Sequence, residues 1–313
     1  MRDNRAICIG LGIAFTCASA TFAAEPGIKI SHAVAQIQVI PEDRTDVAVN
    51  IQPGNSRLPT PTVHHDGATI VVDGGLAGRA IGCGTYGLDL LHWRNKDAQR
   101  APQRVKVSGI GEIALDHAPR IIVRMPRSAN ISADGAVYGD VGPTRSLALD
   151  VNGCGDWRLG DVGSDLALHL NGSGHVRGGA AGAAAVAVIG SGDVTLVRVT
   201  GVLKAVLGGS GEVQAGSVGG ADLALQGSGD IHIHQIAGPL SAALSGSGDV
   251  KIDTGSAPKV QVALNGSGDF TFGGAAGAVS ASDNGSGSIQ ITAASGPIAK
   301  VRNGSGDIHI GPH

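Results

Sequence analysis

A four-residue phrase, Gly-Ser-Gly-Asp, returns through the second half of this chain at almost constant spacing, and few folds can accommodate that. Counted from its first glycine, the phrase or a close variant begins at Gly153, Gly172, Gly190, Gly209, Gly227, Gly246, Gly266, Gly285 and Gly304, at intervals of 19, 18, 19, 18, 19, 20, 19 and 19 residues. A fixed period of that length marks a solenoid, in which each repeat is one unit that buries its apolar face only by stacking on its neighbours. Degenerate copies are expected at 109–112 (GIGE) and 137–140 (VYGD), so that the array starts near residue 105.

Parity within one repeat identifies the core side. Leu240, Ala242, Leu244, Gly248, Val250 and Ile252 alternate with Ser241, Ala243, Ser245, Ser247, Asp249, Lys251 and Asp253. That period of two, with one apolar face, is the pattern of half-buried strands. Glycine in mid-strand points to a bend or a close backbone neighbour. A second corner is expected near Gly238-Pro239, matched by Gly201, Gly277 and Gly296-Pro297. Nineteen residues with tight corners suit one coil of a parallel β-helix, and nine to eleven coils stacked at about 4.8 Å make a rod of roughly 40–50 Å. The competing arrangement is antiparallel, because Asn-Gly pairs at Asn152, Asn171, Asn265, Asn284 and Asn303 are hairpin signals. Against it, the apolar parity runs straight through the glycines.

Composition agrees with a thin core. The 313 residues include 51 glycines but only 3% aromatic and 16% charged residues. The net charge of −3 is spread along the chain, without the basic block that nucleic acid binding requires. At the N-terminus, Arg2 and Arg5 precede an apolar run at 6–20 and small residues, the plan of a signal peptide over 1–23. No later run is apolar enough to cross a membrane as a helix. Export would leave Cys83 and Cys154 in an oxidising compartment, where a disulfide between them is expected, with Trp157 packing over it. Residues 24–104 read as irregular strands that cap the first coil, and 105–313 as the solenoid.

Stacking turns the fourth motif position into a column: Asp156, His175, Asp193, Glu212, Asp230, Asp249, Asp269, Ser288 and Asp307. A carboxylate that accepts a corner N–H gains about 1.5–3 kcal/mol, more than the ~1 kcal/mol of repulsion between exposed neighbours. Turn capping therefore explains the aspartates. A row of calcium sites would need a nine-residue period that this sequence lacks. The serine column cannot supply a unique nucleophile. His232 and His234 share a face and could ligate metal, but read as surface histidines. GCGTYG at 82–87 spells a dinucleotide-binding pattern without the βαβ unit that would give it meaning. No cofactor is expected. Adjacent coils would also place Asp283 beside Arg302 at inward positions, so an ion pair is expected there.

The stretches VIPEDRTDVAVNI at 39–51, PRIIVRMP at 119–126, NGCGDW at 152–157 and the GSGD series together resemble the auto-transporter adhesin head GIN domain family. The resemblance implies a right-handed β-helical fold, a bacterial envelope location and no enzymatic activity. The reading is an exported, non-enzymatic β-solenoid, adhesin-like, in the periplasm or on the cell surface of a Gram-negative bacterium. It would engage an unknown envelope or surface partner, with self-association through the C-terminal edge as one form. A periplasmic scaffold and a polysaccharide-active β-helix enzyme are the alternatives.

Overall fold

In a computed structural model, which describes residues 26–55, 57–79, 81–84 and 104–312, the chain forms a parallel β-solenoid of about ten coils. Register partners lie one repeat apart: Leu147–Gly153 pairs with Leu166–Gly172, and Leu240–Leu244 with Val260–Leu264, all in parallel. The Asn-Gly pairs are therefore corners between successive coils, not hairpin tips. The alternation read from the sequence sets the interior, since Leu240, Ala242, Leu244, Val250 and Ile252 are all buried. Phe270, Phe272 and Trp157 also lie fully inside.

The repeated glycines are a steric requirement. A Cβ on Gly246 would fall on the carbonyl oxygen of Gly227, one coil back, and a Cβ on Gly248 on that of Gly229. At Gly172 the backbone is also left-handed, with φ of 134°. Any side chain there would force the coils apart or strain the corner.

The upstream copies fall elsewhere than the sequence pattern places them. Gly109 and Gly111 lie at the turn of an antiparallel hairpin joining Arg104–Val107 to Gly111–Ala114, with φ of 74° and 104°. In the next coil up, Gly135 is the register partner of Gly153, whereas Gly139 sits opposite Trp157. The motif position there therefore starts at Gly135 and covers 135–138, not 137–140.

The N-terminal part supplies a rung as well as outer strands. Gly27–Glu42 pairs in parallel with Ser128–Val141 on one side. On its other side it pairs with Thr69–Asp73 and Arg120–Pro126. The first strand among the described residues is thus inserted between two strands that adjoin in sequence. Ala48–Gln52 and Thr62–Asp66 then pair antiparallel on the outer edges of those strands. Antiparallel additions of this kind end the stack without leaving a long parallel edge open.

Candidate functional site

The Asp column is a structural device that links coils. The Asp193 carboxylate accepts the Glu212 N–H at 3.0 Å, and Asp230 accepts that of Asp249 at 2.9 Å. Asp249 and Asp269 accept the N–H groups of Asp269 and Ser288, each at 2.7 Å. Each of these carboxylates caps the same position one coil further on, so the expected capping is present but reaches to the next coil. Asp156 heads the column opposite His175, and Asp307 accepts the Ile308 N–H at 3.0 Å. The flanking polar columns are cross-linked as well: Asn284 donates to Asn265 at 2.9 Å, Asn303 to Asn284 at 2.8 Å, and Ser247 to Ser228 at 3.2 Å.

The disulfide between Cys83 and Cys154 is present, with Cα atoms 5.9 Å apart across 71 residues of sequence. It fastens the antiparallel sheet of Ile81–Gly84, Arg104–Val107 and Gly111–Ala114 to the corner of one coil. That sheet and corner enclose a small core of their own, including Val34, Leu76, Val105, Val107, Ala136 and Cys154. Trp157 does not belong to it. The indole lies in the solenoid interior against Gly139, where a Cβ would collide with the ring.

Beside the disulfide lies a cleft of about 730 Å³. Its floor is the glycine corner (Gly135, Gly153, Gly172, Gly190), and Asp134, Asn152, Asn171, Ser173 and Ser191 line it. His32 enters it from a bulge between Ile30 and Ala33, where Ser31 and His32 stand opposite the single residue Asp134. The His32 backbone is left-handed at φ 48°, the only non-glycine residue described with positive φ. Its Nδ1 lies 3.8 Å from Asp73 and its Nε2 3.8 Å from Asp134, while Nδ1 is buried without a hydrogen-bond partner. Strained residues of this kind gather where a fold does something besides pack. Nothing in the repeat pattern signals this site, because His32 owes its place to a bulge and to pairing with strands far away in sequence.

His232 and His234 acquire a partner the sequence reading missed. Both aim at Asp253 in the next coil, His232 Nε2 at 2.8 Å and His234 Nδ1 at 3.2 Å from Oδ2, while Lys251 reaches Oδ1 at 3.2 Å. The hydrogen bond from His232, opposed by burial and reinforced by His234 and Lys251, holds the Asp253 carboxyl at about 2. Among the described residues no group of three His, Cys, Asp or Glu is arranged to hold a metal ion. The GCGTYG pattern lies partly outside the described residues, and its first three residues belong to the antiparallel strand Ile81–Gly84.

Asp283 and Arg302 are register partners, as expected, but they form no ion pair. Asp283 is fully buried; its Oδ1 accepts the Gly285 N–H at 2.8 Å and its Oδ2 has no partner. Arg302 instead donates to the Gly306 carbonyl at 3.2 Å and lies 3.9 Å from Asp307. Its side chain is more than half exposed, and keeping the guanidinium in water avoids the desolvation that pairing with Asp283 would require.

The comparisons with known proteins bear on the regular coils. Residues 196–312 match the family described as "Putative auto-transporter adhesin, head GIN domain". No curated protein matches the chain. A crystal structure described as a "Putative lipid binding protein" from Parabacteroides distasonis aligns over 90% of this chain and 91% of that one, at 15% identity and a TM-score of 0.35. At that distance neither fold nor ligand transfers. No helix among the described residues is long and apolar enough to cross a membrane.

Proposed function

We propose that this protein is an exported, non-enzymatic β-solenoid of the bacterial envelope, an adhesin-like rod that offers a rigid polar surface to a partner. The observation that carries the reading is the Asp column: its carboxylates accept hydrogen bonds from the next coil, which serves rod building and leaves no repeated catalytic group. The family match over the regular coils supports the adhesin-like part. The leader at 1–23, outside the described residues, and the disulfide support export. The cleft around His32 is a concave surface that runs beside the glycine corners of successive coils, and contact with a partner is assigned there.

Protease shaving of intact cells, with a known periplasmic protein as control, tests the reading. Cleavage of this protein while the control survives places it on the surface and supports adhesion. Survival of both until the outer membrane is opened supports the periplasmic scaffold. Recovery of the protein in the cytoplasmic fraction overturns export and the proposal with it.

A further inference from the structure

The inward columns change character at one end of the rod. In successive coils one inward position reads Leu207, Leu225, Leu244 and Leu264, then Asp283, then Arg302. A second reads Ala242, Val262 and Ala281, then Lys300. Among the described residues, Ile298–Arg302 and Asp307–Pro312 have a strand partner on one side only. Ile298, at an inward position equivalent to buried Val279, is 46% exposed. Such a rung, with apolar inward residues, would be a template for a second copy.

Two of its three inward residues, Lys300 and Arg302, are cations, and both turn towards the chain on the facing side. Lys300 Nζ donates to the Ile308 carbonyl at 3.4 Å, and Arg302 Nη1 to the Gly306 carbonyl at 3.2 Å. The two side chains run from one wall of the coil to the other, above the buried Asp283 carboxylate. Another coil stacked on this rung would take both cations out of water, with the Asp283 carboxylate beneath them and only the exposed Asp307, 3.9 Å from Arg302, at their side. Inward-pointing charge is one of the ways natural sheets keep an edge from pairing.

We infer that Lys300 and Arg302 form a charged plug that prevents end-on association of this rod. Self-association through the C-terminal edge, which the sequence invited, is what the plug prevents. The inference is independent of what the rod binds, since it concerns only contact between copies.

The test is sedimentation velocity across a hundredfold range of concentration. The wild type is expected as one concentration-independent species. The variant Lys300→Ala/Arg302→Leu, which restores the residue types of the preceding coils, is expected to shift to dimers and longer species. Lys300→Glu/Arg302→Glu, which keeps charge but reverses it, is expected to sediment as the wild type does. Circular dichroism checks that each variant is folded. Arg302→Leu alone, with Lys300 retained, carries the test if the double variant does not fold. An uncharged variant that stays folded and unassociated overturns the inference. So does association of the charge-reversed variant to the same extent as the uncharged one.

Discussion

The coils from 196 to 312 and the rungs from 27 to 141 use the same parallel pairing, yet they reach it by different routes. In the regular coils each strand pairs with a segment about 19 residues away, and glycine corners and Asp caps recur with the period. In the N-terminal rungs Gly27–Glu42 must find strands at 69–73, 120–126 and 128–141, and a disulfide fastens the sheet beside them. Repetition makes geometry local, so that one corner teaches the next. Where repetition stops, the same geometry depends on contacts distant in sequence, and there the molecule has room for a strained histidine and a cleft.

The largest effect that separates the two regions concerns glycine. Gly246→Ala places a Cβ on the Gly227 carbonyl oxygen and is expected to destabilise the fold by at least about 3 kcal/mol. Gly82→Ala, in the antiparallel sheet where a Cβ meets nothing within 4 Å, should change stability by less than about 0.5 kcal/mol. Thermal or urea melts of the two variants give the comparison. Equal losses would show that the glycine column is not the steric element described.

Removing the disulfide probes the other region. Cys83→Ala/Cys154→Ala is expected to cost roughly 2–4 kcal/mol in the N-terminal rungs. Amide exchange in the coils beyond 196 should stay as slow as before. A uniform loss of protection along the rod would mean that the coils do not hold themselves. Asp249→Ala, which frees the Asp269 N–H, is a smaller change at about 1 kcal/mol, since the corner is exposed to water.

The smallest expected effect depends on pH. Asp253 has its folded carboxyl lowered from 3.8 to about 2, so its contribution is complete above pH ~4 and is lost as pH falls through 4 towards 2. Asp253→Asn should therefore be less stable than the wild type at pH 6, and the difference should shrink across that window. A constant difference down to pH 2 would contradict the contacts from His232, His234 and Lys251.

The regular coils were open to reading because their information is periodic. Leu240, Ala242 and Leu244 declare the interior, and the glycines of 246–248 declare the corner. The Cys83–Cys154 bond followed from compartment chemistry. What escaped depends on register across distance. The sequence phrase at 137–140 misled because Gly139 is small for a different reason, the indole of Trp157 lying over it. His32 looked ordinary because a bulge with one extra residue, not a motif, turns it into the cleft. Arg302 was paired with Asp283 by register alone, and register does not say whether a long cation will stay in water.

Parallel stacking at one repeat per coil is the central claim, and a cross-link tests it most directly. Ser247 and Ser228 lie one coil apart with their hydroxyls 3.2 Å from each other. Ser228→Cys/Ser247→Cys should close an internal disulfide under mild oxidation, seen as faster migration without reductant. Ser228→Cys/Ser286→Cys, three coils or roughly 14 Å apart, should not. Ready closure of the distant pair, with the adjacent pair left as free thiols, would contradict the stacked coil.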